Sequence, residues 1–309
     1  MHSSALKKFI NVTEYAAIAA YELKGQNQEI AADLLAVSAM RSKFISRYLE
    51  GEIVIGEGER DQAPMLYIGE KLGKGGAKYD IAVDPLEGTT ILAQGKAGAL
   101  SVMAIAEREG LLHAPDINMA KIANGFDIDD KVISLNNTIA NNIEIIANAK
   151  ACAPSDLSVT VLDRARHEKL ISDIKQTGAK VKLIQDGDIA AVIATTTGET
   201  DIYMGIGGAP EGVLAAAALK ACGGFFCGRL LFEDNAQKQR GRHMGITDFD
   251  REYFLTDLVK KDAIFIASGV TDGPLLQGVS KNPDGFTVES LIMDSATKNI
   301  EKTQNKLVI

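Results

Sequence analysis

The amino-acid sequence predicts an α/β protein of two lobes. Its second half alternates short aliphatic strands with helices, and such alternation is typical of α/β folds. The chain has 309 residues, a length that fits about two domains, and 46% of them are hydrophobic, enough for a sizeable core. We place the boundary in the polar, Asn-rich stretch 136–154, which divides a lobe of residues 1–150 from one of residues 151–309.

The first lobe opens with helical spacing of apolar residues. Two helices are predicted within residues 8–49, separated at Gly25, and the second runs from about Gln28 to Leu49, where Gly51 ends it. Aliphatic runs bounded by turn residues then predict strands at Ile53–Ile55, Asp80–Asp84 and Leu100–Glu107. Pro85 is expected to stop the second of these strands at Asp84.

The second lobe repeats the order strand, turn, helix. The predicted elements are a strand at 158–162 with a helix at 167–177, a strand at 181–184 with a helix at 189–195, a strand at 202–204 with a helix at 211–221, and a late strand at 263–267. No internal repeat interrupts this order.

Composition excludes some classes of partner. The net charge of −8 argues against nucleic acid and anionic membranes, both of which need basic contacts. A phosphate site in so acidic a chain needs another source of positive charge, and bound Mg²⁺ or Mn²⁺ would supply it. No apolar run reaches the roughly 18 residues of a membrane span, and the first residues lack a signal-peptide apolar region. Three cysteines without zinc spacing fit reduced thiols, so we expect a cytoplasmic protein.

The segment Asp84-Pro-Leu-Glu-Gly-Thr-Thr90 follows an aliphatic strand, where α/β proteins usually bind ligands. Gly88 allows a close turn around a ligand, and Thr89 offers a hydroxyl and an N–H group at a predicted helix start, which suits an anion. The alternative is a plain turn, because Asp, Pro and Gly are ordinary turn residues.

Further carboxylates suggest a metal site, each with a plainer alternative. The segment Gly56–Asp61 gathers three carboxylates, including Glu57 and Asp61, that repel one another unless a cation separates them; alternatively it is an exposed charged loop. Asp33 lies in an apolar stretch of helix and needs a partner there, unless it faces water. Glu211 follows Pro210 at a helix start, where the helix dipole alone accounts for it.

Two turns of the second lobe carry groups suited to a sugar phosphate. Arg164 and Arg166 follow a strand and can clamp a phosphate, or else are surface charges. Asp186-Gly-Asp188 follows the next strand, and its carboxylates are natural acceptors for sugar hydroxyls, although Asp188 also fits a helix cap.

Together these motifs resemble the class II fructose-1,6-bisphosphatases, a bacterial branch of the lithium-sensitive phosphatase superfamily. The resemblance covers nearly the whole chain. The matching segments are Val12–Glu14, Gly56–Glu59, Ala63–Lys71, Asp84–Thr89, Ala114–Asp116, Asp186–Asp188 and Gly207–Gly212.

The resemblance implies a layered α/β/α/β/α sugar-phosphatase fold of two mixed-sheet lobes. It implies hydrolysis of the 1-phosphate of fructose 1,6-bisphosphate to fructose 6-phosphate in gluconeogenesis, with Mg²⁺ or Mn²⁺, by a homo-oligomer (dimer or tetramer). The implied metal ligands are Asp33, Glu57, Asp84, Glu87 and Glu211. The implied substrate contacts are Glu87, Gly88, Thr89, Asn118, Arg164, Ala165, Arg166, Asp186, Gly187, Asp188 and Gly208. The implied catalytic residues are Thr89, Asp61 and Glu57.

Three departures from the family pattern concern substrate choice and turnover. Where the family usually has a lysine, a tyrosine and a proline, this chain has Glu29, Asn118 and Ala165, respectively. Glu29 and Asn118 suggest, as one alternative, a sugar-phosphate-binding paralogue with little turnover. Sedoheptulose bisphosphate is an alternative substrate because the loops do not separate the two sugars, and a phosphatase for inositol phosphates on the same scaffold is a further alternative.

Overall fold

The structure, a computed structural model, describes residues 9–45, 47–58, 64–130 and 132–308. Nine α-helices lie in that part of the chain: α1 (Ile10–Tyr21), α2 (Glu29–Ile45), α3 (Thr89–Ala93), α4 (Ile139–Ala149), α5 (Glu168–Gln176), α6 (Asp188–Thr197), α7 (Ala209–Cys222), α8 (Asn235–His243) and α9 (Leu255–Leu258). The strands are β1 (Glu50–Ile55), β2 (Lys71–Leu72), β3 (Lys78–Glu87), β4 (Leu100–Glu107), β5 (Asn118–Asn124), β6 (Ser158–Leu162), β7 (Lys180–Ile184), β8 (Ile202–Gly208), β9 (Phe225–Leu231), β10 (Glu252–Phe254), β11 (Ala263–Gly269), β12 (Ser280–Asn282), β13 (Gly285–Asp294) and β14 (Asn299–Leu307).

The elements form two compact units, each with its own mixed sheet. One unit comprises Met1–Leu112 and Lys260–Ile309, and the other comprises His113–Val259. Mixed sheets flanked by helices confirm the predicted α/β class with two lobes. No helix in the described ranges combines the length and apolar character needed to cross a membrane.

The sheet of the first unit has the strand order β12-β13-β11-β4-β3-β1-β2, with β14 also paired to β13. β1 and β3 run parallel, so their carboxyl ends meet at one edge. Helices α1 and α2 pack on this sheet, and small residues such as Ala16 and Ala36 allow the close approach of helix and strand. That packing places α2 beside the strand ends that carry the motifs.

The sheet of the second unit has the order β10-β9-β5-β8-β6-β7. β6 is parallel to both β7 and β8, so three consecutive strands end at the same edge. The Ala-rich helix α7 is buried along most of its length. The turns that follow β6, β7 and β8 therefore lie together, as expected for a ligand-binding edge.

Several predicted boundaries were wrong. The second helix ends at Ile45 rather than Leu49, and Gly51 lies inside β1 rather than ending a helix. Pro85 does not stop its strand, because β3 continues to Glu87. A shift of register between Asp84 and Glu87 accommodates the proline, which lacks the N–H that a regular ladder needs.

The limits of the units differ from the predicted boundary near residue 150. Residue 150 follows α4 inside the second unit, and residues 260–309 belong to the first unit. The Asn-rich stretch was polar for a local reason: Thr138 caps α4, and Asn142 bonds the backbone carbonyl of Ser134. Such polarity reports hydrogen bonding around one helix and does not indicate which sheet a strand joins.

Candidate active site

Asp33 and Glu57 come from different elements of the first unit and meet. Asp33 lies in the second turn of α2, and Glu57 follows β1. Burial raises the pKa of Asp33, while a hydrogen bond with the Glu57 side chain lowers it. Two carboxyl groups at hydrogen-bonding distance are stabilised by a shared proton or by a cation.

The loop that carries Glu57 is held by its backbone. The Glu57 N–H group donates to the carbonyl of Leu66 at 3.0 Å. A Cβ atom at Gly56 would lie 2.0 Å from the same carbonyl oxygen, so this close approach requires glycine. The buried carboxylate of Glu70 accepts the Leu66 N–H at 2.5 Å and Arg41 Nε at 2.7 Å. Because Arg41 is on α2, this network connects the Glu57 loop to the helix of Asp33.

Asp84 and Glu87 lie at the end of β3. Asp84 pairs with Val102 in the ladder, and the strand continues beyond the residue at which it was predicted to stop. Its Oδ1 accepts the Leu86 N–H at 3.1 Å, and Glu87 is only 4% exposed. The register shift between the two is typical of strands that redirect side chains near active sites.

The segment after β3 has the predicted conformation. Gly88 adopts a φ of +85°, which favours glycine, and precedes Thr89, the first residue of α3. Thr89 is half-buried. Its hydroxyl and the neighbouring N–H groups therefore lie directly after the Asp84–Glu87 carboxylates.

In the second unit, the turn after β6 presents Arg164, Ala165 and Arg166 on the surface. Arg166 donates to the carbonyl of Ile206 through Nε at 3.3 Å and Nη2 at 2.8 Å. The adjacent His167 is buried; its Nδ1 lies 2.7 Å from the Leu162 carbonyl, and its Nε2 accepts the Ile206 N–H at 2.8 Å. This histidine holds the arginine turn against β8.

The turn after β7 places Asp186 and Gly187 before α6, with the Gly187 N–H donating to Asp186 Oδ1 at 3.0 Å. Asp188 opens the helix and is 8% exposed. Its Oδ2 lies 2.5 Å from Nζ of Lys121 and accepts the hydroxyl of Tyr203 at 3.4 Å.

Glu211 lies in the first turn of α7, as predicted. Burial first, and then the charge of Asp188, raise its pKa to about 7, whereas Lys121 acts in the opposite direction. Its Oε2 atom is buried without a hydrogen-bond partner. A Cβ atom at Gly208 would lie 1.9 Å from that oxygen, so the glycine leaves the space that the carboxylate occupies.

Asn118 is the first residue of β5, and its Nδ2 donates to Glu233 Oε1 at a long 3.5 Å. Asp61, the remaining predicted catalytic residue, lies outside the residues that the structure describes.

The predicted metal ligands divide between the units: Asp33, Glu57, Asp84 and Glu87 in the first, Glu211 in the second. Across residues 9–45, 47–58, 64–130 and 132–308, no three His, Cys, Asp or Glu side chains form a complete metal site. The ligand set therefore stays a prediction. Its chemistry suits a hard cation, because every donor is a carboxylate oxygen and Glu211 has a buried oxygen without a hydrogen-bond partner.

Sequence reasoning missed Lys121, His167, Glu70 and Tyr203 as residues that hold the site. One signal was available for Lys121, since it lies among Met119, Ile122 and Ala123, and a lysine in an apolar strand needs a buried partner. No local pattern pointed to the others.

Carboxylates follow the strands of one unit, and arginines and carboxylates follow those of the other. Together with two mixed sheets, these features define the class of a metal-dependent phosphatase. Residues 3–306 match the family model described as "Bacterial fructose-1,6-bisphosphatase, glpX-encoded", and the chain belongs to that family. The resemblance to class II fructose-1,6-bisphosphatases is thereby confirmed, and the chain is a phosphoric monoester hydrolase.

The chain is similar to curated proteins of several organisms. A protein of Trichodesmium erythraeum (strain IMS101) is 41% identical, over 94% of this chain and 92% of its own length. Proteins of Prochlorococcus marinus (strain NATL1A) and Synechococcus sp. (strain CC9902) are 42% and 41% identical, each over 96% of this chain and 93% of their own. All three are named D-fructose 1,6-bisphosphatase class 2/sedoheptulose 1,7-bisphosphatase.

Proposed function

We propose that this chain hydrolyses the 1-phosphate of fructose 1,6-bisphosphate to fructose 6-phosphate and phosphate, as a cytoplasmic homo-oligomer. The observation that carries the proposal is the hydrogen bond between the carboxyl groups of Asp33 and Glu57, two groups of like charge brought together by α2 and the loop after β1. Sedoheptulose 1,7-bisphosphate is the second candidate substrate, because the names of the relatives carry both activities.

The proposed cofactor is Mg²⁺ or Mn²⁺, held by Asp33, Glu57, Asp84, Glu87 and Glu211. When bound there, the cation supplies Lewis-acid stabilisation of the charge that develops on the phosphoryl group during transfer to water.

The chain's own residues bind and orient the substrate around that centre. Glu87, Gly88 and Thr89 are assigned to the scissile phosphate, where the Thr89 hydroxyl holds a phosphoryl oxygen or orients the attacking water. Asp61 is assigned to the catalytic surroundings by the resemblance alone.

The far end of the substrate is assigned to the strand ends of the second unit. Arg164 and Arg166, with Ala165 between them, bind the second phosphate by charge-assisted hydrogen bonds. Asp186, Gly187, Asp188 and Gly208 receive the sugar, whose hydroxyls are natural donors to carboxylates. Asn118 completes this set at the start of β5.

Phosphate release tests the proposal directly. We expect release from fructose bisphosphate with Mn²⁺ or Mg²⁺, and fructose 6-phosphate as the sugar product. Glu57→Ala and Asp84→Ala should each lower the rate at least about a hundredfold, because each removes a carboxylate of the proposed metal site. Asp173→Ala is the matched control, since it removes a carboxylate from the surface pair with Lys169 and should leave the rate unchanged.

A panel with sedoheptulose bisphosphate and inositol phosphate separates the alternatives. Release from inositol phosphate alone would contradict the proposed substrate. Binding of fructose bisphosphate without release would favour a sugar-phosphate-binding protein, the alternative suggested by Glu29 and Asn118.

A further inference from the structure

Lys121 is a buried cation that none of the assigned roles uses. It lies in β5, is 2% exposed, and places Nζ 2.5 Å from Oδ2 of Asp188. The side chain of Tyr203 donates to the same oxygen. Both donors bind Oδ2, so Oδ1 is the oxygen that we assign to a substrate hydroxyl.

The sheet provides a slot for the long lysine side chain. In the ladder, Lys121 is opposite Gly205 on one neighbouring strand and Gly228 on the other. Side chains of directly paired residues share a face, so glycines at both paired positions put no side chain of their own beside Lys121. A Cβ atom at Gly212 would lie 3.6 Å from Cε of Lys121, so the lysine side chain also passes close to the start of α7. A Cβ atom at Gly207 would lie 2.3 Å from Asp188 Oδ2 and 3.1 Å from Lys121 Nζ, so the backbone closes directly over the ion pair.

A buried ion pair contributes little to stability compared with apolar packing in the same volume. The location of this pair argues for another role, because Asp188 directly follows Asp186 and Gly187 in the turn after β7 that is assigned to the substrate. Removing the ammonium would leave the buried Oδ2 of Asp188 without its closer hydrogen-bond donor, and the carboxylate would then lose its fixed orientation.

We propose that Lys121 is a positioning residue that holds the Asp188 carboxylate in the orientation that receives a sugar hydroxyl; the inference rests on the proposed function. Lys121 acts through Asp188 and contacts no reacting atom. Its contribution is therefore to substrate binding and not to the phosphoryl transfer step.

The test is Lys121→Met in the full chain, which keeps the length and volume of the side chain and removes the charge. We expect KM for fructose bisphosphate and Kd for fructose 6-phosphate to rise about 10–100-fold, as for other residues that orient a binding group. The kcat at saturating substrate and metal should change less than about threefold. Unchanged KM and Kd in a folded variant would overturn the proposal.

Double variants keep the test valid if the single variant fails to fold. Lys121→Met with Asp188→Asn leaves no unpaired charge, so it should fold, and its KM should equal that of Asp188→Asn alone. If the KM increases of the two single variants multiply in the double variant, Lys121 acts independently of Asp188, and the proposal is overturned.

Lys150→Met is the control for a purely structural role. Lys150 forms an ion pair with Asp201 in the same unit, away from the assigned turns, so this variant should lower Tm and leave KM unchanged. A Lys121→Met variant that behaves in the same way would overturn the proposal.

The outcomes also separate the inference from the proposed function. If the wild type releases no phosphate, the proposed function fails, and the Kd for fructose 6-phosphate still decides the role of Lys121. If the wild type binds neither fructose bisphosphate nor fructose 6-phosphate, both the proposed function and the role of Lys121 are overturned.

Discussion

At the scale of single residues, glycines decide where the carboxylates of the site can lie. Gly56 admits the Leu66 carbonyl beside the Glu57 loop, and Gly208 admits the Glu211 carboxylate. Gly208 has φ −67°, which any residue can adopt, so the requirement for glycine there is one of space and not of backbone conformation.

Gly208→Ala should therefore displace the Glu211 carboxylate without straining the backbone. We expect kcat/KM to fall about 10–100-fold, the range found when a group that orients a metal ligand is disturbed. The measurement is phosphate release together with the melting temperature.

Gly223→Ala supplies the comparison at the other end of α7. Gly223 has φ +75° and open space around it, so the substitution costs about 1 kcal/mol of stability through the left-handed conformation alone. Activity should be retained. Equal kinetic losses in both variants would contradict the steric account of Gly208.

Single residues also mark the limit of sequence reasoning at this scale. Asp84, Glu87, Gly88 and Thr89 could be proposed as site residues because they are contiguous and their chemistry forms one pattern. Lys121 was missed because its partner is 67 positions away in the chain. Distances of that kind depend on strand order, which a single sequence does not specify.

At the scale of elements, His167 connects the turn after β6 to β8. Both of its bonds, to the Leu162 carbonyl and from the Ile206 N–H, need the neutral ring with its proton on Nδ1. Burial lowers the pKa of His167; the bond to Leu162 raises it, and the charges of Arg166 and Arg164 lower it further. The folded state therefore resists protonation of the ring.

Stability should consequently depend on pH through this histidine. As pH falls below about 6.5, the unfolded chain takes up a proton at His167 that the folded chain does not, so stability is lost in that direction. The pKa of Glu211 is raised to about 7, so between about pH 7 and 4.5 the folded chain takes up a proton at Glu211 that the unfolded chain does not. This uptake increases stability as the pH falls, opposite to the effect of His167. The contribution of the His167 imidazole to the pH dependence of stability is therefore isolated by comparing the wild type with a variant that lacks the ring.

Urea unfolding of wild type and His167→Gln at pH 7.5 and 5.5 makes that comparison. The wild type should lose more stability on acidification than the variant, since glutamine does not titrate. The same pH dependence in both proteins would show that the histidine is not the group responsible.

Elements were predicted where an aliphatic run stands between turn residues. Leu100–Glu107 and Ser158–Leu162 have the predicted bounds. The strands β5 and β9 were missed, and so was β14, whose alternation of exposed polar residues resembles a loop in composition. These strands are defined by pairing with distant partners and not by local hydrophobicity.

At the scale of the whole molecule, the second unit is contiguous in sequence and the first is not. Residues 260–309 return to the first sheet, where β11 lies between β4 and β13. The predicted division near residue 150 assumed two lobes in succession along the chain. Composition carries no signal for a chain that leaves one sheet and rejoins it about 150 residues later.

This topology predicts which fragments fold alone. Residues 113–259 contain all six strands of the second sheet and a core of their own, including Ile122, Val159 and Phe225. We expect this fragment to show a cooperative thermal transition by circular dichroism. Residues 1–112 should not, because without β11 the apolar strand β4 becomes an unpaired edge that favours aggregation.

The fragment 151–309, cut at the composition-based boundary, is the decisive control. It lacks β5, which pairs with β8 on one side and β9 on the other, so the second sheet would be divided at its centre. It also carries β11–β14 without the strands β3 and β4 that complete their sheet. We expect this fragment to show no cooperative thermal transition. If fragment 151–309 folded and fragment 113–259 did not, strand pairing across residue 150 would not decide the folding of the second unit.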